Sequence, residues 1–200
     1  MQNRFLKISL FFVLILTINK SAIANSFNTD SLVVGQVIES FTLNNTVNGQ
    51  PKTVSLNDYK DSKGVIVIFM TNGCYHCIQY RERIKSLHHN YKNKGFSVIT
   101  VNPSDPSYAP EETFEEMQKI ASKEKYEFPY LQDPEQTLTR KYGVKYTPEA
   151  YIIANKGKDW VVEYYGAIDD DLENKKNNKI TFVENVLNAL LNNKQVPKFN

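Results

Sequence analysis

Cysteine is scarce in this chain: only Cys74 and Cys77 occur among its 200 residues. A count this low excludes a small scaffold held together by many disulfides. Hydrophobic residues make up 41% of the chain and charged residues 23%, and these ordinary values exclude intrinsic disorder. We therefore predict one domain that folds on its own hydrophobic core.

The chain also lacks a strong excess of one charge and any apolar run long enough to cross a bilayer. Its formal net charge is +2, and the longest apolar run, from Ile8 to Ile18, falls short of a membrane span. No basic stripe of the kind that nucleic-acid binding requires is present. We expect protein or small-thiol partners and no nucleic acid.

The first residues follow the order of a secretory signal peptide. Arg4 and Lys7 are positive, the short apolar run follows, and the small residues Ala22 and Ala24 offer a cleavage site. An uncleaved N-terminal membrane anchor is the alternative interpretation.

We predict a signal peptide over residues 1–24 and a mature domain over residues 25–200. Cleavage removes three basic residues and no acid, which lowers the formal net charge from +2 to −1. The mature protein is expected to be soluble and exported, in the periplasm or another extracytoplasmic space.

Apolar patterning predicts alternating strands and helices, which is typical of an α/β domain. Gly64–Met70 forms a nearly continuous apolar run, as in a strand buried on both faces, and Phe96–Val101 is a second such strand. A helix is predicted to begin close to Cys74, with Cys77, Tyr80, Ile84, Leu87 and Tyr91 at helical spacing. A second helix would present Phe114, Met117 and Ile120 on one face.

Further short segments are predicted around this alternation. Val33–Leu43 and Thr53–Leu56 suggest an N-terminal hairpin, and Ala150–Ile153 with Trp160–Tyr165 suggests another. Thr181–Glu184 has the sequence of a capping box in front of a terminal amphipathic helix.

The strongest chemical signal is the sequence Cys74-Tyr75-His76-Cys77, directly after a buried strand and at a helix start. Helical spacing places the two cysteines within disulfide reach. Because a helix N-terminus stabilises a thiolate, we expect Cys74 to be the attacking sulfur. Cys77, one turn further on, is expected to be more buried and to act as the resolving thiol.

His76 is a candidate site residue, because a partly protonated imidazole near the helix start would favour the Cys74 thiolate; a solvated side chain is the alternative. A purely structural disulfide is disfavoured, since closing so small a loop contributes only roughly 2 kcal/mol. A zinc or copper site lacks further ligands, so we predict no metal. His88 and His89 are expected at the surface.

The strand, CxxC and helix, with the later Gly143-Val144 and Thr147-Pro148-Glu149 before a hairpin, resemble the thioredoxin-like superfamily. More narrowly, the chain resembles its exported redoxin or TlpA-like branch. The resemblance implies an α/β thioredoxin-like fold, with a central mixed β-sheet flanked by helices and an N-terminal β-hairpin extension.

The resemblance also implies that Pro148 is cis, that its loop faces the cysteines, and that Thr147 and Pro148 bind substrate. A trans proline that ends a turn is the alternative. Glu149 resembles an acid that serves proton transfer in related reductases, although an exposed glutamate at a strand start fits equally. The run Asp169–Asp171 is read as a solvated loop.

These observations predict an enzyme, a thiol-disulfide oxidoreductase acting on protein disulfides as a reductase or isomerase. We expect a monomer that needs no cofactor and is kept reduced by a membrane redox partner. Tyr75-His76 replaces the Gly-Pro of thioredoxins, which leaves the direction of electron flow open. One alternative is a peroxiredoxin-like thiol peroxidase, suggested by Thr71 but lacking the expected upstream proline at Val67. The other is a copper carrier that is not an enzyme.

Overall fold

The computed structural model describes residues 32–199, which form a mixed sheet with helices on both faces. The strands are β1 (Val37–Ile38), β2 (Thr42–Asn45), β3 (Thr53–Ser55), β4 (Gly64–Phe69), β5 (Phe96–Asn102), β6 (Tyr130–Gln132), β7 (Glu149–Asn155) and β8 (Trp160–Gly166). The α-helices are α1 (Tyr75–Tyr91), α2 (Phe114–Glu124), α3 (Thr137–Tyr142) and α4 (Phe182–Leu191). The predicted fold class is confirmed.

Strand β4 lies at the centre of the sheet, whose order is β1-β8-β7-β4-β5-β6-β2-β3. It pairs parallel with β5, with Val67 opposite Ile99, and antiparallel with β7, with Val67 opposite Tyr151. All six β4 residues are buried, because helices cover both faces of the sheet. The prediction of a central buried strand is confirmed.

Alternate residues of β4 contribute to two separate cores. Ile66 and Ile68 face α1, α2 and α4, whereas Val65, Val67 and Phe69 face the side that carries α3. This alternation follows from the two-residue period of a strand. It decides which side of the sheet each residue near the end of β4 occupies.

The predicted N-terminal hairpin is correct only in part. β2 and β3 do pair antiparallel, with Leu43 opposite Val54. The segment before β2, however, forms β1 at the other edge of the sheet, where Ile38 pairs with Trp160. Residues 33–43 therefore connect the two edges of the sheet and do not form one hairpin arm.

The capping box predicted at Thr181 does not form. Thr181 is the N-cap of α4, but its side chain makes no capping hydrogen bond at φ −90° and ψ 81°. The Val183 N–H, a first-turn donor that a cap would satisfy, donates instead to the Ile168 carbonyl at 3.2 Å.

The interpretation of Asp169–Asp171 as a solvated loop is wrong. Asp169 and Asp171 are each only 5% exposed. The Asp169 carboxylate accepts hydrogen bonds from Arg83 Nη1 at 2.7 Å and from the Tyr80 hydroxyl at 2.8 Å, both on α1. These bonds tie the loop after β8 to the long helix.

The surface position predicted for His88 is also wrong, whereas His89 is exposed as expected. His88 is buried beside Phe128, with ring centroids 5.5 Å apart. Burial lowers the pKa of this imidazole below its ordinary value. It belongs to the aromatic packing under α1.

Within residues 32–199, no helix combines the length and the apolar character that crossing a membrane requires. The predicted signal peptide, residues 1–24, lies outside the described residues.

Replacing Asp169 by Ala is expected to lower the free energy of unfolding by about 2 to 3 kcal/mol, because it leaves the half-buried Arg83 without its carboxylate partner. Arg83 keeps its bonds to the Asp171 and Leu172 carbonyls, which limits the loss. Urea unfolding measures the change. Glu173→Ala is the control, since the Glu173–Lys175 pair is exposed and its loss should cost less than about 0.5 kcal/mol. Equal losses in the two variants would contradict the proposed importance of Asp169.

Candidate active site at the Cys74–Cys77 pair

The sheet topology brings three chain segments to one end of β4. The chain leaves β4 at Phe69, passes through Asn72 and Gly73, and enters α1 with Cys74 as the N-cap residue. Phe69 pairs with Glu149, the first residue of β7. The Thr147–Pro148 loop, which leads into β7, therefore lies beside the start of α1.

Cys74 is half-buried at the N-terminus of α1. Its Sγ accepts the backbone N–H of Cys77 at 3.3 Å. Burial acts to raise the pKa of the Cys74 thiol, but hydrogen bonding with the side chains of Thr147 and Cys77 and with the backbone N–H groups of Cys77 and His76 lowers it below its ordinary value. This environment favours a reactive thiolate.

Cys77 is fully buried on the α1 side of the sheet and packs with Met70. Burial, followed by the hydrogen bond with Cys74, raises the pKa of the Cys77 thiol to about 12. Both cysteines are present as free thiols. The pair therefore combines one thiol with a lowered pKa and one with a raised pKa.

The Thr147–Pro148 peptide bond is cis, as the resemblance implied. The Cys74 thiol donates to the Thr147 carbonyl at 3.4 Å, which places this loop in contact with Cys74. Pro148 has no backbone N–H. Thr147 is half-buried and Pro148 is buried, so Thr147 is the more accessible of the two.

His76 lies in the first turn of α1 with an exposed side chain. Its ring packs edge-on against Tyr75, with ring centroids 5.9 Å apart. The His76 backbone N–H contributes to the lowered Cys74 pKa. The described contacts between His76 and the sulfur involve the backbone and not the imidazole.

Glu149 is only 4% exposed, which excludes the exposed alternative. Its carboxylate accepts the Lys145 N–H at 3.1 Å and the Tyr151 hydroxyl at 3.4 Å. Burial raises the pKa of the carboxyl, although these bonds oppose the shift. As the partner of Phe69, Glu149 belongs to the α3 side of the sheet, opposite Cys77.

A buried carboxylate that sequence reasoning missed lies beneath the loop before Cys74. Glu112, in the 3-10 turn after β5, accepts the backbone N–H groups of Asn72 and Gly73, each at 2.8 Å. It also accepts the Asn102 side-chain amide at 2.7 Å.

Asn72 is held by further polar groups. Its carbonyl accepts Arg81 Nη2 at 3.0 Å, and its side-chain oxygen accepts the Tyr130 hydroxyl at 3.0 Å. Arg81 in turn pairs with Glu124 of α2 at 3.1 Å. The loop that precedes the CxxC pair is thus fixed by side chains from α1, α2 and β6.

The structure brings Cys74, Cys77, Thr147 and Pro148 together and places Glu149 on the other face. Among the described residues, no cluster of three or more His, Cys, Asp or Glu side chains is arranged to hold a metal ion. Glu112 carried no signal in the sequence, because a Glu-Glu pair before a helix is typical of an ordinary first turn.

A mixed sheet of this topology, with a CxxC pair starting its first long helix, defines the thioredoxin-fold class. The chain matches the model of the AhpC/TSA family over residues 34–159 and belongs to that family. The thiol-disulfide oxidoreductase ResA of Geobacillus thermodenitrificans is 23% identical over 158 residues, which cover 78% of this chain and 84% of that protein.

Two solved structures extend the comparison. A hypothetical protein from Sinorhizobium meliloti superposes with a TM-score of 0.75 at 26% identity, covering 86% of this chain and 91% of that one. The thioredoxin domain of a thiol-disulfide oxidoreductase from Bacteroides vulgatus gives a TM-score of 0.52 at 26% identity, covering 72% and 95%. The predicted resemblance is confirmed, and the protein is an enzyme of the thiol-disulfide oxidoreductase class.

In the reduced protein at mildly acidic pH, we expect iodoacetamide to modify Cys74 at least about tenfold faster than Cys77. Cys74 has a lowered pKa, and its rate should fall only as the pH drops through that value, whereas Cys77 stays protonated until about pH 12. Mass spectrometry after timed alkylation measures both rates. Equal rates would contradict the assignment of different environments.

Glu149→Gln is expected to stabilise the protein more at about pH 7 than at about pH 4. Burial raises the pKa of the folded-state carboxyl, so its contribution to stability is complete below the unfolded-state pKa and is lost as pH rises through the folded value. The glutamine removes this dependence. Urea unfolding of both proteins at the two pH values measures it, and a parallel pH dependence would refute it.

Proposed function

We propose that the protein exchanges disulfides with other proteins, with Cys74 as the nucleophile and Cys77 as the resolving thiol. The contrast between the two thiols carries this proposal. Cys74 is accessible at a helix N-terminus with a lowered pKa, whereas Cys77 is buried with a pKa of about 12. Two-step exchange requires one thiol that attacks the substrate disulfide and a second thiol that later resolves the mixed disulfide.

In the reductive direction, the Cys74 thiolate attacks one sulfur of a substrate disulfide. The substrate S–S bond breaks, a mixed disulfide forms, and the departing substrate thiolate takes up a proton. Cys77 then loses its proton and attacks Cys74 Sγ, which releases the second substrate sulfur as a thiol. Two electrons and two protons reach the substrate, and the Cys74–Cys77 disulfide remains.

Thr147 and Pro148 are proposed to bind the substrate segment next to its disulfide. The Thr147 carbonyl already lies 3.4 Å from Cys74 Sγ, and a proline after it removes a competing backbone donor. Tyr75, between the two cysteines, and Tyr146, next to Thr147, are 61% and 51% exposed. Their rings would offer apolar contact to an extended polypeptide.

We propose the reductase or isomerase direction, with a dithiol partner in the membrane that returns the CxxC pair to its reduced form. The protein would act as a monomer outside the cytoplasm after removal of residues 1–24. His76 would favour the Cys74 thiolate and therefore the reduced pair, which would make the Cys74–Cys77 disulfide more oxidising and act against this direction. Glu149 remains a candidate for proton transfer because of its raised pKa, but any proton must pass from the other face of the sheet.

The Cys77→Ala variant is expected to accumulate a mixed disulfide when mixed with a synthetic peptide that carries one intramolecular disulfide. Without Cys77, the link between Cys74 and the peptide has no internal thiol to resolve it. Nonreducing mass spectrometry detects the adduct, and Cys74→Ala, which keeps Cys77, should form none.

Other outcomes would identify the alternatives. Rapid consumption of hydrogen peroxide without peptide adducts would favour a thiol peroxidase, in which Thr71 would contact the peroxide. Stoichiometric copper in protein purified without chelators, again without adducts, would favour a carrier. Either result would overturn the proposed exchange reaction.

A further inference from the structure

Glu112 is a buried carboxylate whose environment the exchange reaction does not by itself explain. It is 2% exposed, and none of the ion pairs among residues 32–199 involves it. Burying a charge without a counter-ion is costly unless several hydrogen bonds compensate. Here three N–H donors, from Asn72, Gly73 and Asn102, surround the two carboxylate oxygens.

Two of those donors belong to the backbone directly before Cys74. Glu112 Oε2 accepts the Asn72 N–H and Oε1 accepts the Gly73 N–H, so the carboxylate holds two successive peptide groups. Because each oxygen takes one peptide, the orientation of both is set together. The next residue along the chain is the N-cap cysteine.

The same loop is also held through the carbonyl and the side chain of Asn72. Arg81 donates to the Asn72 carbonyl, and the Asn72 side chain bonds to the Glu111 carbonyl and the Tyr130 hydroxyl. The backbone N–H groups of Asn72 and Gly73 depend on Glu112. Loss of that carboxylate would leave the N–H groups of buried Asn72 and of Gly73 without their partner.

We propose that Glu112 is a positioning residue for Cys74: its carboxylate fixes the Asn72–Gly73 backbone and so holds Cys74 Sγ where the α1 N-terminus can stabilise it. The inference rests on the proposed role of Cys74 as the nucleophile. Glu112 acts through the backbone and touches neither sulfur in the described contacts.

The charged and titratable groups around this loop come from several elements. Arg81 and Cys77 lie on α1, Glu124 on α2, Tyr130 on β6, and Glu111 adjoins Glu112. A purely electrostatic role for Glu112 would oppose the Cys74 thiolate, because like charges repel. Positioning and charge therefore have opposite effects on Cys74.

The test is the pH dependence of Cys74 alkylation by iodoacetamide in full-length reduced protein. Glu112→Gln keeps the size of the side chain but supplies one acceptor oxygen for two backbone donors. We expect its alkylation midpoint to move to higher pH by about one unit and its rate at neutral pH to fall about tenfold. An unchanged midpoint, or one that moves to lower pH, would overturn the proposal.

Asp133→Asn is the matched control. Asp133 is 1% exposed and likewise accepts two backbone N–H groups, those of Leu138 and Thr139, but it caps α3. Its loss should destabilise the protein to a similar degree and leave the Cys74 midpoint in place. An upward shift as large as that of Glu112→Gln would reduce the effect to general destabilisation and overturn the proposal.

The Glu112→Asp variant separates the effect of the negative charge from the effect of side-chain length. It also provides a test if Glu112→Gln fails to fold. It keeps the carboxylate but is one methylene shorter, so it cannot hold both peptides as Glu112 does. An upward shift supports positioning, whereas a wild-type profile overturns it. If Cys74 of the wild-type protein showed no preferential alkylation, the proposed function would fail. If wild-type Cys74 were preferentially alkylated and the Glu112 variants had the same pH profile, only this inference would be overturned.

Discussion

The parallel pairing of β4 with β5, next to antiparallel β7, determines where the chemistry lies. This arrangement brings the C-terminal ends of β4 and β5 and the N-terminal end of β7 together at one end of the central strands. Cys74 follows β4, Glu112 follows β5, and Thr147–Pro148 precedes β7. Segments far apart in sequence are thus held together by six consecutive backbone pairs in each ladder, with little need for long side-chain tethers.

The two faces of the sheet separate the roles of the buried acids. Glu112 holds the loop that leads into α1, whereas Glu149 bonds to Lys145 and Tyr151 on the α3 side. Both are nearly inaccessible, yet of the two only Glu112 is bonded to the backbone next to Cys74. Proximity in the sheet therefore does not by itself assign a buried carboxylate to the thiols.

Much of this structure could be predicted because it follows from patterns among residues close together in the sequence. The apolar run of β4, the helical spacing after Cys74 and the hairpin of β7 and β8 depend on neighbouring residues, and all three are confirmed. The separation of β1 from β2 could not be predicted, because Ile38 finds its partner at Trp160, over a hundred residues later. Strand pairing at such a distance leaves no local signal.

Buried polar residues were the least predictable feature for a related reason. From sequence alone, a charged side chain is assigned to the surface unless its partner is known. Arg83, which pairs with buried Asp169, lies 86 residues away in the sequence. Glu112 and Asn72 are 40 residues apart. His88 is buried because Phe128, from another segment, packs against it. Only the tertiary structure specifies such pairs.

The outermost strands of the sheet have a consequence for a protein proposed to exchange disulfides with other polypeptides. β1 has two residues and β3 has three, so each outer border offers a very short row of backbone groups to an incoming strand. Long, flat borders invite foreign β-strands to add on and seed aggregates, whereas short ones resist this. A substrate polypeptide would therefore add poorly to the outer strands and would bind instead at the proposed Thr147–Pro148 loop beside Cys74, from which it can be released.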